Sequence, residues 1–83
     1  MVDSLDADKV RAAARKVVEK FVGYSVADDD TLVSSGLIDS LTVVQMITAL
    51  EKELNVQLPA ATLQPDDFDT IDYTVETVMR VAR

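Results

Sequence analysis

Apolar residues in the first quarter of the chain recur at the spacing of one face of an α-helix. Their positions follow the series i, i+3, i+4, i+7, i+8 and i+11, with the members Val10, Ala13, Ala14, Val17, Val18 and Phe21. Aspartates stand near the start of the series, lysines near its end, and Gly23 follows where glycine commonly ends a helix. The pattern predicts a helix over residues 6–22 with these side chains on one face.

A second helix is predicted to begin at Asp39 and Ser40 and to run through Leu54. Asp39 suits the N-cap position, because a carboxylate there accepts hydrogen bonds from free N–H groups of the first turn. Asn55 is a plausible stop residue. Apolar residues at spacings of four, three and four form a stripe that we expect to face the core, flanked by Met46: Val43, Ile47, Leu50 and Leu54.

The pattern of apolar residues from residue 65 onward predicts the last two helical elements. Residues 65–68 are expected to form one helical turn that places Phe68 in the interior. Thr70 is the expected N-cap of a last helix, whose apolar stripe comprises Ile71, Val75, Val78 and Ala82. We therefore predict an all-α fold, a small four-helix bundle of three main helices and one short helix.

Residues 24–38 show no periodicity and are predicted to form a long loop between the first two helices. About fifteen residues without regular structure is long for a compact domain, which indicates either a function or an extra short helix. The loop contains apolar residues that we expect to pin it to the core: Leu32, Val33, Leu37 and Ile38. The acidic run Asp28-Asp29-Asp30 could attract a divalent cation, but a solvated loop is the favoured interpretation, and no metal is assigned.

Composition agrees with a single helical domain over residues 1–83. Hydrophobic residues make up 48% of the chain and aromatic residues 5%, with two glycines and two prolines, too few for the turns of an all-β fold. No apolar run approaches the roughly 18 residues of a membrane span. The acidic start MVDSLDADKV is unlike a secretory signal. We expect a cytoplasmic protein without stable membrane insertion.

The charge of the chain restricts the classes of molecule that it can bind. The net charge is −7, and residues 24–83 hold eleven acids against three bases. This surface would repel nucleic acid and anionic membranes and attract basic protein patches. The chain has no His and no Cys, so it can build neither a Ser-His-Asp or Cys-His site nor a His- or Cys-based zinc site. We therefore predict that it is not an enzyme.

The segment Gly36-Leu37-Ile38-Asp39-Ser40-Leu41 places one hydroxyl at the first turn of a helix, directly after a carboxylate. The positive end of the helix dipole and its free N–H donors suit a phosphorylated group at Ser40. Gly36 gives the chain freedom to enter the helix at a tight angle. Taken alone, Asp39-Ser40 is better explained as a helix cap, because Asp and Ser are both favoured there.

The surroundings of Ser40 form a longer motif, Leu32-x-x-Ser35-Gly36-Leu37-Ile38-Asp39-Ser40-Leu41. It is followed by Leu50-Glu51, the stretch to Leu58-Pro59, and Phe68-Asp69-Thr70-Ile71. Together these segments resemble the acyl and peptidyl carrier protein family. The resemblance covers about residues 5–82. It implies a four-helix bundle whose serine receives 4′-phosphopantetheine from coenzyme A through a magnesium-dependent phosphopantetheinyl transferase. It implies further that Ser40 is the attachment residue, that Asp39 faces the metal site of the transferase, and that the thiol of the arm holds an acyl or aminoacyl cargo as a thioester.

In such a carrier the helix that begins at Ser40 would be the surface that partner enzymes contact. Once the core stripe is assigned, Leu41, Val44 and Thr48 remain on another face, and Glu51 and Asp39 stand at its rim. We expect this patch to bind partners. The alternative is that one or more of these residues packs under the loop of residues 24–38.

The residues beside this patch bear on the cargo. Fatty-acid carriers usually have acids along this helix, where the present chain has Thr42, Gln45 and Lys52. It therefore looks like a stand-alone carrier of a specialised lipid or polyketide pathway, or like the D-alanyl carriers of cell-wall modification. Many nonribosomal peptide carriers have His where Asp39 stands, so the resemblance disfavours a typical excised peptidyl carrier domain. The expected partners are the phosphopantetheinyl transferase, a cargo-loading ligase or adenylating enzyme, and downstream synthases or transferases. We expect the protein to be a monomer. An unmodified acidic interaction module is the alternative from another class.

Overall fold

The computed structural model describes residues 5–83, and all regular structure in that range is helical. Three α-helices follow one another along the chain: α1 (Ala7–Val22), α2 (Ser40–Leu54) and α3 (Ile71–Val81). Two 3-10 helices, Ala60–Thr62 and Pro65–Phe68, lie between α2 and α3. The predicted helical turn at residues 65–68 is thus present, but as a 3-10 helix, and the first 3-10 helix was not predicted. The described part of the chain is a small helical bundle with three α-helices. The first four residues of the acidic start lie outside the described residues.

Local hydrogen bonds set the helix ends, as the sequence predicts. Each α-helix begins after a side chain that accepts the N–H three residues on: Asp6 from Lys9 at 2.8 Å, Asp39 from Thr42 at 2.8 Å, and Thr70 from Tyr73 at 2.9 Å. Two of the helices end at a residue in the left-handed conformation, Gly23 with φ 85° and Asn55 with φ 53°. These interactions span at most four residues, which is why periodicity and capping residues predicted the helix starts to within one residue and the ends of α1 and α2 correctly.

The core forms where α1 packs against both α2 and α3, and the second 3-10 helix joins α3 to α2. Phe68 is fully buried, as predicted, together with Met46 from beside the predicted stripe. Most of the predicted stripe residues are buried too: Val10, Ala13, Ala14, Val17, Val18, Val43, Ile47, Leu50, Ile71, Val75 and Val78. No helix among residues 5–83 combines the length and the hydropathy that crossing a membrane requires.

At the helix ends, residues of the predicted stripes are exposed or only half-buried. Phe21 is 37% exposed, and Leu54 and Ala82 are only half-buried. At 100° per residue Phe21 points in the same direction as Val10 and Val17. Its exposure therefore comes from its position along the helix axis, in the last turn of α1. Ala82 follows the last residue of α3. Periodicity predicts the direction of a side chain, but not how far along the axis the core extends.

The long loop holds turns and bends but no helix, and its start is held to α1 and α3 by Asp28. The Asp28 carboxylate contacts Arg11 at 2.7 Å and also pairs with Arg15, and its carbonyl accepts the N–H of Asp72 at 3.1 Å. Arg11 also contacts the Asp72 carboxylate, at 2.6 Å. The first acid of the aspartate run is therefore a partner of arginine side chains.

The apolar residues of the loop divide into two groups. Leu32 and Ile38 are buried and Val33 is half-buried, in agreement with the prediction. Leu37 is 40% exposed, so the expectation that it pins the loop to the core was wrong. Val26, which was not singled out, is buried instead. The loop is anchored at its start, middle and end, and it leaves Leu37 at the surface two residues before α2 is capped.

Candidate functional site

Ser40 is the first residue of α2, and its side chain is exposed to solvent. Within residues 5–83 no group forms a hydrogen bond with its hydroxyl. The N–H groups of Ser40 and Leu41 have no acceptor within the helix, because the first turn of any α-helix leaves such donors free. A nucleophilic oxygen, free N–H donors and the positive end of the helix dipole therefore meet at one accessible point.

Asp39 carries a fixed negative charge beside this hydroxyl. One carboxylate oxygen accepts the Thr42 N–H at 2.8 Å, and the Asp39 carbonyl accepts the Val43 N–H at 3.0 Å. The hydrogen bond from the Thr42 backbone stabilises the carboxylate and lowers the pKa of Asp39 below its ordinary value. Asp39 is thus an anion at neutral pH and a poor acceptor for the proton of Ser40.

The backbone before α2 fixes where Ser40 is presented. Gly36 adopts a left-handed conformation with φ 81°, and its N–H donates to the carbonyl of Val33 at 3.0 Å. The N–H of Ile38 donates to the carbonyl of Leu32 at 2.9 Å. Because Leu32 and Ile38 are both buried, this bond ties the last residue before the cap to the core.

Asp69 anchors the same loop, and the sequence analysis did not single out this residue. One carboxylate oxygen accepts the N–H groups of Leu32 at 3.1 Å, Val33 at 2.8 Å and Ser34 at 2.9 Å. The other accepts the Ser34 hydroxyl at 2.8 Å. These bonds, first that from the Ser34 N–H, lower the pKa of Asp69. The sequence signal was the motif Phe68-Asp69-Thr70-Ile71, in which Asp69 stands at the variable position, and an aspartate just before a cap resembles ordinary helix-start chemistry.

The outer face of α2 exposes the apolar side chains that the sequence places there. Leu41 is 66% exposed and Val44 57% exposed, and Thr48 is exposed as well. The loop of residues 24–38 therefore does not cover them, which removes the alternative that they pack under it. No charged residue occurs between Ser40 and Leu50. The face beside Ser40 is thus uncharged on a chain with a net charge of −7.

Glu51, which is expected at the rim of this face, also has a structural partner. Its carboxylate accepts the backbone N–H of Leu58 at 2.9 Å, and the residue is half-buried. Its carbonyl accepts the N–H groups of the residues that end the helix, Asn55 and Val56. Glu51 therefore holds the segment that follows α2 against the helix, an arrangement that residue spacing alone does not predict.

The exposed serine begins a helix whose first eleven residues, Ser40 to Leu50, carry no charge, an arrangement that suits attachment of a phosphorylated group beside a partner contact. Comparison with known proteins agrees. Residues 8–78 match the family model described as "Phosphopantetheine attachment site", and the chain belongs to this family of phosphopantetheine-dependent carrier proteins. The cofactor of the family is covalently attached 4′-phosphopantetheine.

Curated relatives of this chain are D-alanyl carrier proteins. That of Leuconostoc citreum is 27% identical over 71 residues, which is 83% of this chain and 91% of the relative. That of Streptococcus sanguinis is 28% identical over 71 residues, 83% of this chain and 90% of the relative. That of Lactobacillus delbrueckii subsp. bulgaricus is 34% identical over 53 residues, 64% of this chain and 66% of the relative. These names give no support to the lipid or polyketide pathway that the sequence analysis had considered.

Proposed function

We propose that this protein is an aminoacyl carrier, that Ser40 bears the phosphopantetheine, and that D-alanine is its cargo. The observation that carries the proposal is the exposed, unbonded Ser40 hydroxyl at the start of α2 in a chain of this family. The names of the relatives support an aminoacyl cargo over a fatty acyl one. When attached, the group supplies a thiol at the end of a flexible chain, where a cargo is held as a thioester. Because coenzyme A is its source, we place the protein in the cytoplasm.

In the attachment reaction the Ser40 hydroxyl is the nucleophile. Its oxygen bonds to the phosphorus of the pantetheine phosphate of coenzyme A, the bond from that phosphorus to the bridging diphosphate oxygen breaks, and the adenosine bisphosphate leaves. The hydroxyl proton goes to a base of the phosphopantetheinyl transferase. This chain has no His, and the lowered pKa of Asp39 makes that carboxylate a poor base. Asp39 instead keeps a negative charge beside Ser40, where it can face the metal ion of the transferase.

The partner surface that we propose comprises Leu41, Val44 and Thr48 on α2. Their exposure supports a contact surface next to the attachment site. Glu51 stands at the rim, although its bond to Leu58 gives it a structural role too. The proposed partners are the transferase, an adenylating ligase that loads the cargo and an acyltransferase that removes it. In this scheme the protein is a monomer and catalyses nothing itself.

Intact-mass measurement tests whether Ser40 is the attachment residue. The unmodified protein is incubated with coenzyme A, Mg²⁺ and a broad-specificity phosphopantetheinyl transferase, and its intact mass is recorded. We expect the wild type and Ser35→Ala to gain one phosphopantetheine and Ser40→Ala to gain none. Ser35→Ala is the control, because it removes a different exposed serine hydroxyl five residues before Ser40, one that donates to the Thr31 carbonyl at 2.6 Å. Modification of Ser40→Ala would contradict the site, and an unmodified wild type would favour the interaction module instead.

The cargo is tested on the modified protein. It is incubated with ATP and a D-alanine-activating ligase, and in parallel with ATP, a fatty acid and a fatty-acyl carrier ligase. We expect a mass gain of one alanyl group in the first reaction, removed by hydroxylamine as thioesters are, and little gain in the second. Loading by the fatty-acyl ligase alone would overturn the cargo while leaving Ser40 as the attachment residue.

A further inference from the structure

The Asp69 carboxylate occupies a site formed by successive backbone N–H groups of the long loop. Three consecutive donors, residues 32–34, converge on one oxygen, and the Ser34 hydroxyl reaches the other. Consecutive N–H groups of this kind form a concave anion-binding site, and a carboxylate receives stronger hydrogen bonds than a neutral acceptor does. Here the anion that fills the site comes from the same chain, 35 or more positions away.

The anchored turn is coupled to Ser40 through a short chain of bonds. The Leu32 N–H is shared between the Asp69 carbonyl at 2.6 Å and the Asp69 carboxylate at 3.1 Å, and the Leu32 carbonyl accepts the N–H of Ile38 at 2.9 Å. Ile38 is buried and directly precedes Asp39, the cap of α2. The conformation of residues 32–38 therefore sets the direction in which the chain enters α2. Asp69 is fixed in turn, since the Thr70 hydroxyl accepts the N–H of Tyr73 and begins α3.

We propose that Asp69 is a positioning residue for the modification of Ser40. In this inference, which rests on the proposed function, the start of α3 is the rigid support for the loop. Asp69 transmits that support to the residues before α2, and it does so without contact with the transferase or with coenzyme A. Loss of its carboxylate leaves the loop in several conformations, of which only a fraction presents Ser40 and the start of α2 correctly.

Loss of the Asp69 carboxylate should change the KM of the transferase for the carrier more than its kcat. When a partner binds only one conformation, the apparent dissociation constant rises by the inverse of the fraction of molecules in that conformation. The KM of the transferase for the carrier follows that constant when chemistry is slower than dissociation. We expect Asp69→Ala to raise this KM about five-fold, corresponding to a competent fraction near one fifth, with kcat changed less than about two-fold. Asp69→Asn retains one oxygen for the backbone donors, and Ser34→Ala retains the whole carboxylate, so both should raise KM less.

Thr77→Val is the matched control for stability. The buried Thr77 hydroxyl donates to the Asp67 carbonyl at 2.9 Å; Thr77 lines the same cavity as Asp69 but forms no hydrogen bond with residues 32–38. All variants are assayed at a temperature well below the lowest Tm of the set. Amide hydrogen exchange is measured in parallel. We expect exchange at Val33, Ser34 and Ile38 to accelerate in Asp69→Ala and to stay unchanged in Thr77→Val, whose KM should equal that of the wild type.

The outcomes separate this inference from the proposed function. If the wild type gains no phosphopantetheine, the proposed function fails. If the wild type is modified but Asp69→Ala has an unchanged KM, or Thr77→Val raises KM equally, the positioning role is wrong. If Asp69→Ala does not fold, Asp69→Asn and Ser34→Ala decide in its place. A graded rise in KM that follows loop exchange supports the role, and an unchanged KM despite accelerated exchange overturns it.

Discussion

Val43 and Val44 are adjacent and chemically identical, yet Val43 is 3% exposed and Val44 is 57% exposed. Successive side chains of a helix point about 100° apart, which turns one valine into the core and the other to solvent. Val43 packs in the cluster that contains Ile47 and Leu50, whereas Val44 lies beside Leu41 on the outer face. The pair therefore separates the structural role of α2 from its proposed recognition role.

A charge at each of these positions should have opposite effects on stability and on loading. Val43→Asp buries a carboxylate without a partner and should cost about 3–5 kcal/mol, a large part of the stability of a small domain. Val44→Asp should change stability by less than about 0.5 kcal/mol, but it places a desolvated charge in the partner interface and should slow loading. Circular dichroism melts and transferase assays measure the two effects.

Val44→Thr is the control for shape, because it keeps the branched side chain without adding a charge. It should fold and be loaded at nearly the wild-type rate. Unfolding of both aspartate variants, or normal loading of a folded Val44→Asp, would show that the outer face of α2 is not the recognition surface.

Acid should weaken the loop anchor at Asp69. Its pKa is lower in the folded protein than in the unfolded chain, where an aspartate titrates near about 4. The stabilisation is therefore fully present above about pH 5 and is lost as the pH falls through 4 toward the folded pKa. We expect the Tm of the wild type to fall more than that of Asp69→Asn between pH 6 and pH 3. Asp66, Asp67 and Glu76 line the same cavity as Asp69, so the difference between the two proteins isolates its contribution. Parallel Tm curves would contradict this assignment.

Salt should stabilise the folded protein. Arg11, Arg15 and Lys16 already pair with acids, while the cavity beside α3 gathers the carboxylates of Asp66, Asp67, Asp69 and Glu76 around the single cation of Arg80. Raising the ionic strength from about 0.01 M to about 0.2 M shortens the Debye length from about 30 Å to about 7 Å and screens this repulsion. We expect the Tm to rise over this range.

The variant Asp66→Asn tests the source of the salt effect. It should have a higher Tm than the wild type at low salt and a smaller rise on adding salt, because one of the crowded charges is gone. A falling wild-type Tm would mean that the ion pairs of α1 outweigh the repulsion.

Gly36 is needed for its backbone conformation rather than for space. Its φ is 81°, yet a Cβ added there meets no atom within 4 Å. Gly36→Ala should therefore cost about 1–2 kcal/mol through backbone strain alone, and Gly36→Asn should cost less, because Asn tolerates this region. Urea unfolding measures both. Equal destabilisation by the two variants would point to a lost contact instead of strain.

The sequence by itself determined the three α-helices, their starts to within one residue, the ends of α1 and α2, and the place of Ser40 at the start of α2. Each of these features depends on interactions between residues at most four positions apart, such as Asp39 with Thr42, and on the angular position of side chains around a helix. Both can be predicted directly from residue spacing. The same local logic placed Val44 outside and Val43 inside before any contact was known.

Only the tertiary structure decided the features that join distant segments. Asp69 reaches residues 32–34 across 35 to 37 positions, and Asp28 joins α1 to α3, because packing brings these backbones together. Phe21 has the angular direction of a core residue, but the core does not extend to the last turn of α1. Glu51 at the proposed rim also accepts the Leu58 N–H, because the segment after α2 packs back against that helix. Spacing specifies direction around one helix, whereas depth and long-range partners depend on how the helices pack.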